Sequence, residues 1–281
     1  MLSKPTLSWL RSVALALAGA GAAFGPSGAA AQSDEKTQQE IERYRQALLE
    51  GNPAELVSAR GEDLWKTPRG PKKASLEKCD IGLGAGVVKG AYAQLPRYFA
   101  DVDQVMDFEA RLVHCMVTLQ GFERAEAVKS PFSGAGQRQT DIEAITAYAV
   151  EQSRGLPIAV PQGHPKEKAA YDRGKKLFYM RAGPYDFACS TCHGVDNQRI
   201  RLQDLPNFEK AEPAQRAFST WPAYRVSQGA LRTMQWRIND CFRQQRFPEP
   251  IFVSQGTVDL ITFLGVKAAG GKMDSPAIRS T

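Results

Sequence analysis

Apolar residues along this chain recur mostly at the three-to-four-residue spacing of helices, and alternating strand patterns are few. A polar helix is predicted over residues 36–49, with Ile41, Tyr44 and Leu48 on one face, and Gly51-Asn52-Pro53 ends it. Residues 54–78, broken by Pro68, Gly70 and Pro71, read as irregular. Strongly apolar helices begin at Asp141 (D-I-E-A-I-T-A-Y-A-V) and at Asp259 (D-L-I-T-F-L-G-V). A further helix covers residues 171–181 and contains Gly174, Leu177 and Phe178, and residues 234–246 read as another. Between the halves, G-L-P-I-A-V-P-Q-G-H-P at residues 155–165 has the composition of a linker.

A degenerate repeat relates the two halves at an offset of 126 residues. Pro96 and Tyr98 recur as Pro222 and Tyr224, Arg111 and Cys115 recur as Arg237 and Cys241, and each half closes on its apolar helix. Two similar small helical domains are the natural expectation.

The first residues read as an export address. Lys4 and Arg11 precede an apolar stretch over residues 13–24, and Ala29-Ala30-Ala31 offers a cleavage site before Gln32. The stretch is too short to span a bilayer, so no membrane span is expected in the mature chain. The twin-arginine pair of the folded export route is missing, and the expected destination is the periplasm. The formal net charge of +6 includes Lys4 and Arg11, and no Lys/Arg run is dense enough to suggest a nucleic-acid partner.

There are five cysteines and three histidines. Cys189-Ser190-Thr191-Cys192-His193 is C-x-x-C-H, in which two thiols join the haem vinyl groups and the imidazole sits beneath the iron. A zinc site would want two more ligands from a chain poor in histidine, and a thioredoxin-like site lacks its strand–helix setting. The first half carries no such motif, its candidate region reading Cys79-Asp80-Ile81-Gly82-Leu83. Cys79 and Cys115 are therefore expected to form a disulfide. The fold class is thus mainly α, with two cytochrome c-like helical domains of which only the second binds haem. The boundaries are a signal peptide at 1–31, an N-terminal helical extension at 32–60, a haem-free domain with a disulfide at 61–154, a linker at 155–168 and a haem-binding domain at 169–281.

The second axial ligand has three candidates: Met234, Met273 and Cys241. Either methionine would make a plain electron carrier with His/Met ligation. Cys241 follows Arg237 by four residues on one helix, so both project from one face. A guanidinium beside a thiol favours the thiolate, and a cationic pocket next to a sulfur suits a small anionic substrate. His114 reads as a packed side chain, and His164 has no assigned role.

G-E-D-L-W-K at Gly61, S-L-E-K-C-D at Ser75, Q-L-P-R-Y-F at Gln94, C-S-T-C-H-G at Cys189 and W-R-I-N-D-C at Trp236 together resemble the SoxA family. These are the haem subunits of the L-cysteine S-thiosulfotransferase of bacterial thiosulfate oxidation. The missing first C-x-x-C-H is similar to the single-haem form, in which a disulfide replaces the other haem. The resemblance implies one covalent haem c, with Cys241 as the distal ligand, modified as a persulfide, and Arg237 as its catalytic neighbour. It further implies a heterodimer with SoxX, a small monohaem cytochrome. Thiosulfate and the SoxY cysteine of SoxYZ would be the substrates, and a c-type cytochrome the electron acceptor.

Overall fold

The computed structural model describes residues 37–40, 42–43, 47, 51–200 and 203–279. The signal peptide expected at 1–31 and most of the helix expected at 36–49 lie outside the described residues. One unit, Met1–Ala47, is described only at its few helical, exposed positions; the second, Leu48–Thr281, holds everything below. Among the described residues no helix is long and apolar enough to cross a membrane.

The second unit is mainly helical. Its first helix, α1 (Pro53–Lys66), occupies a segment expected to be irregular. Asn52 caps it by accepting from the Ala54 N–H, and Pro53 stands in the first turn, where its missing N–H costs nothing. The buried face is Ala54, Val57, Ser58, Gly61 and Trp65. That spacing is helical, but most of these side chains are too small to register as an apolar stripe. A β-hairpin follows, β1 (Arg97–Phe99) against β2 (Gln104–Met106), then α2 (Phe108–Thr118), a single turn α3 (Arg124–Ala127) and α4 (Asp141–Glu151). Thr140 and Glu143 cap α4 reciprocally.

The second half opens on α5 (Pro165–Tyr179), which starts inside the predicted linker and ends two residues before the predicted helix does. Pro165 stands in its first turn, and His164 caps it through Nδ1, which accepts from the Lys166 N–H. The five-residue α6 (Cys189–His193) and a small hairpin, β3 (Arg199–Ile200) with β4 (Gln203–Asp204), come next. The chain continues with α7 (Ala211–Ser219), β5 (Ala223–Arg225), β6 (Ala230–Arg232), α8 (Met234–Gln244) and α9 (Gln255–Lys267). The last strand, β7 (Ala277–Arg279), pairs parallel to β5, giving a sheet of order β6-β5-β7.

Two large apolar clusters follow the halves and exchange members. Ala170, Val253 and Val258 pack into the first cluster; Ala93 and Val150 pack into the second. In each half the first and last helices cross at a glycine. A Cβ on Gly61 would lie 1.9 Å from the Ala144 carbonyl oxygen, and one on Gly174 would lie 1.9 Å from that of Asp259. Both obstacles are main chain and cannot swing aside. Gly174→Ala is therefore expected to destabilise the protein by roughly 3 kcal/mol or more, since overpacking outweighs the gain of about 1 kcal/mol in helix propensity. Urea unfolding would reveal this as a lowered midpoint at unchanged slope.

Candidate functional site

The short helix α6 sets two cysteines one turn apart with His193 at its C-terminal end. The Ala188 N–H donates to Thr191 Oγ1 at 2.9 Å, closing the turn that begins the helix. His193 Nδ1 donates to the Pro206 carbonyl at 2.9 Å, and Phe208 packs edge-on against the ring at 5.7 Å. A carbonyl can only accept, so the proton sits on Nδ1 and the Nε2 lone pair is free to bind a metal. Burial pushes the imidazole pKa down, the bond to Pro206 works against this, and Arg237 adds to it. The ring is thereby held in its ligating, neutral form.

Around this helix the surface is unusually apolar. Of nine exposed large hydrophobic side chains among the described residues, five lie here: Tyr179, Met180, Tyr185, Phe187 and Val195. Isolated exposed apolar groups are ordinary, but a concentration beside two thiols and a ligating imidazole fits a flat apolar group such as haem. Among the described residues no three His, Cys, Asp or Glu side chains gather as a cage for a bare metal ion. Two thiols one turn apart, an imidazole with a free Nε2 and an apolar surround fit haem c.

Cys241, on α8, stands close enough to the α6 cysteines that it and Cys192 disfavour ionisation of Cys189, and Cys192 disfavours that of Cys241. Burial is the main influence on Cys241 and pushes its pKa up; Arg237 and Arg225 pull it down, while Asp240 and Cys192 push it up. The sign expected for Arg237 is right, but desolvation outweighs it. Arg237 Nη1 donates to Asp240 Oδ2 at 3.0 Å, Arg243 donates to Asp240 Oδ1 at 2.6 Å, and Gln244 donates to Oδ2 at 2.8 Å. Arg225 lies 3.7 Å from the same carboxylate. Arg279 is held by Thr220 Oγ1 at 2.5 Å and covers one face of Trp221, which Arg237 also approaches. Burial, then repulsion from Arg237 and Arg225, lowers the Arg279 pKa to about 10. Arg225 and Arg279 each retain a buried Nε with no partner. Arg237, Arg225 and Arg243 thus surround the Asp240 carboxylate, the first two close enough to act on Cys241, and Arg279 lies beside Arg225 across the strand pair; four guanidinium groups around one carboxylate favour an anion.

The cysteines of the first half are joined in a disulfide, Cys79 to Cys115. Both are buried in the first apolar cluster. Comparison with known proteins adds the ancestry. The family model described as SoxA/TsdA, cytochrome c domain, matches residues 60–158, the half that lacks C-x-x-C-H. A protein of Hydrogenophilus thermoluteolus named L-cysteine S-thiosulfotransferase subunit SoxA is 48% identical over 268 residues, covering 95% of this chain and 97% of the relative. The chain belongs to the SoxA family. A SoxA subunit from Hydrogenobacter thermophilus is 31% identical, over 91% of this chain and 94% of its own length. The crystal structure of SoxXA from P. pantotrophus shares the fold, with a TM-score of 0.67 at 21% identity, over 84% of this chain and 83% of that one.

In this SoxA-family chain, Met234 and Met273 are both packed into the second apolar cluster. His114 Nε2 is 3.6 Å from Asp101 Oδ2, and burial lowers the pKa of its ring. His164 stacks on Tyr98 at 3.7 Å besides capping α5. Sequence reading missed Arg225 and Arg279. Only the pairing of β7 with β5 carries Arg279 to the site, and no local pattern announces that contact.

Proposed function

We propose that this chain is the exported, haem-bearing subunit of an L-cysteine S-thiosulfotransferase, which joins thiosulfate oxidatively to a carrier-protein cysteine. The observation that carries this reading is the meeting of Cys241 with the C-S-T-C-H helix and the arginine cluster. Cys189 and Cys192 would attach one haem c, and His193 and Cys241 are the side chains that would hold its iron. Haem held there would supply an electron acceptor. The protein groups position the reactants. Arg237, Arg225 and Arg279 bind the sulfonate end of thiosulfate, and their fixed charges need no rearrangement as the sulfur reacts. Trp221 and Trp236 lie under these guanidinium groups and keep water from their planes. Cys241, carried as a persulfide, faces the other end of the substrate. Overall, one S–S bond forms between the carrier cysteine and thiosulfate, one proton is released and two electrons leave to a c-type cytochrome.

The same reading makes residues 1–31 a signal peptide cleaved on the way to the periplasm, residues 61–154 a haem-free domain and 155–168 a linker, its last four residues already in helix α5, to the haem domain at 169–281. In support of a repeat, β1, β2 and α2 recur as β5, β6 and α8 at an offset of 126 residues, with matching ends. The partners are a SoxX-type monohaem cytochrome, forming a heterodimer, and the SoxYZ carrier.

Reconstitution tests the function. The subunit, with its monohaem partner, carrier, thiosulfate and oxidised cytochrome c, is expected to reduce two cytochromes for each carrier cysteine that gains thiosulfate by mass. Cytochrome reduction with an unmodified carrier would rule the transferase reading out in favour of a plain electron carrier.

A further inference from the structure

The helix that bears Cys241 begins at the seam between the halves, and so does α2, its counterpart at the 126-residue offset. The two N-termini grip each other reciprocally. Thr233, the cap of α8, donates its hydroxyl to Glu109 Oε1 at 2.7 Å. Asp107, the cap of α2, accepts from Gln235 Nε2 at 2.6 Å. Thr233 Oγ1 also accepts from the Trp236 N–H, and Asp107 Oδ1 accepts from the Ala110 N–H at 2.8 Å. Gln235 Oε1 in turn accepts from the Val253 N–H at 2.9 Å, in the loop ahead of α9. One residue before the cap, Arg232 donates to the Ser133 carbonyl and to Glu143 Oε1. All six side chains of this seam, from Asp107, Glu109, Glu143, Arg232, Thr233 and Gln235, are buried.

Buried carboxyls at such a place need a reason, because desolvation alone disfavours them. Burial pushes the pKa of both Asp107 and Glu109 up, and Tyr92 and Glu143 are the other titratable groups that face them. Two helix N-termini meet here, each with its positive end toward the pair, which offsets part of that cost. What the carboxyls hold is the first turn of the Cys241 helix. From the cap to residue 241 is about 12 Å along the axis, at roughly 1.5 Å per residue. A tilt of ~10° at the cap would move the sulfur by ~2 Å, and misplacement on the order of 1 Å can cost a hundredfold in rate.

We infer that Glu109, seconded by Asp107, is a positioning residue for Cys241, fixing the start of its helix from the opposite half of the molecule. This rests on Cys241 being the working sulfur. The haem-free half then has a task in the reaction that needs no electron relay: it is the anchor against which the catalytic helix is set.

The test uses the intact haem-loaded heterodimer. Glu109→Ala and Thr233→Val each break the bond between cap and carboxyl, whereas Glu109→Gln and Thr233→Ser can keep it. The two breaking variants are expected to lower kcat at least about tenfold with KM nearly unchanged. They are also expected to shift the low-spin ferric EPR signal and to raise amide exchange in residues 234–241 roughly fivefold, as loss of a helix cap does. The conservative variants are expected to stay within about threefold of the parent in kcat. Unchanged EPR and exchange in Thr233→Val, or a Glu109→Gln variant as impaired as Glu109→Ala, would overturn the inference. Thr233→Val also removes the cap bond from the Trp236 N–H, so the contrast between Glu109→Gln and Glu109→Ala carries the case for the carboxyl, while an unaffected Thr233→Val overturns it even if Glu109→Ala fails to fold. The underlying reading has its own control: a ferric spectrum unaffected by Cys241→Ala would remove Cys241 as ligand, while the exchange data would still report whether the helix is anchored.

Discussion

Cys241→Ala is expected to leave the haem covalently attached and to cut thiosulfate-dependent turnover at least about a hundredfold. Attachment as proposed would fall to Cys189 and Cys192, which stand on a different helix, so the variant should mature normally. The folding cost is expected to be small, about 1 kcal/mol, because the change removes a single side-chain atom. The spectrum carries the second half of the prediction. If Cys241 holds the iron as proposed, the ferric low-spin signature of thiolate ligation is expected to be replaced in the variant by that of water or another weak ligand. Steady-state turnover with the partner and carrier supplied, read beside the EPR spectrum, separates the possibilities. Undiminished turnover would discard the catalytic role, and an unaltered spectrum would discard the ligand role.

Why Cys241 and Arg237 could be singled out from sequence, while Arg225 and Arg279 could not, follows from where the determining contacts lie. The C-x-x-C-H chemistry needs adjacent residues, so five letters announce it. Arg237 and Cys241 share one helical face, and that too is local. The ends of α2 and α8 obey one offset because Asp107 and Thr233 cap them at equivalent places. Helix α1 was hidden for the opposite reason: its buried face of Ala54, Ser58 and Gly61 meets Ala144 and Ala147 backbone-close, and packing by small side chains leaves a weak apolar period. The start of α5 was hidden because a proline read as linker punctuation is equally at home in the first turn of a helix. Arg279 comes to the site through strand pairing with β5, across more than fifty residues of sequence. The thiol pKa was misjudged in balance rather than in sign, since burial is a property of the folded chain and cannot be read from neighbours in sequence.

Arg237→Ala is expected to lower kcat/KM by about a hundredfold or more, the scale found when one preorganised donor to a developing anion is removed. Loss of folding does not explain such an effect here. Asp240, the buried carboxylate that Arg237 engages, keeps Arg243 and Gln244 as hydrogen-bond donors and Arg225 as a close cation, so it is not left unpaired. The change should therefore fall on the reaction itself. Arg237→Lys retains a positive charge but loses the flat donor fork that reaches Asp240 on one side and lies over Trp221 on the other. It is expected to recover less than about a tenth of the lost activity. Arg225→Ala and Arg279→Ala, each removing a more remote charge, should raise KM several-fold with kcat little affected, as expected for groups that bind substrate and transition state alike. Kinetics on all four variants, with thiosulfate varied at saturating carrier, would resolve these roles. An Arg237→Ala enzyme within about threefold of the parent would mean that the guanidinium serves only to neutralise Asp240, and that the anion is held by Arg225 and Arg279 alone.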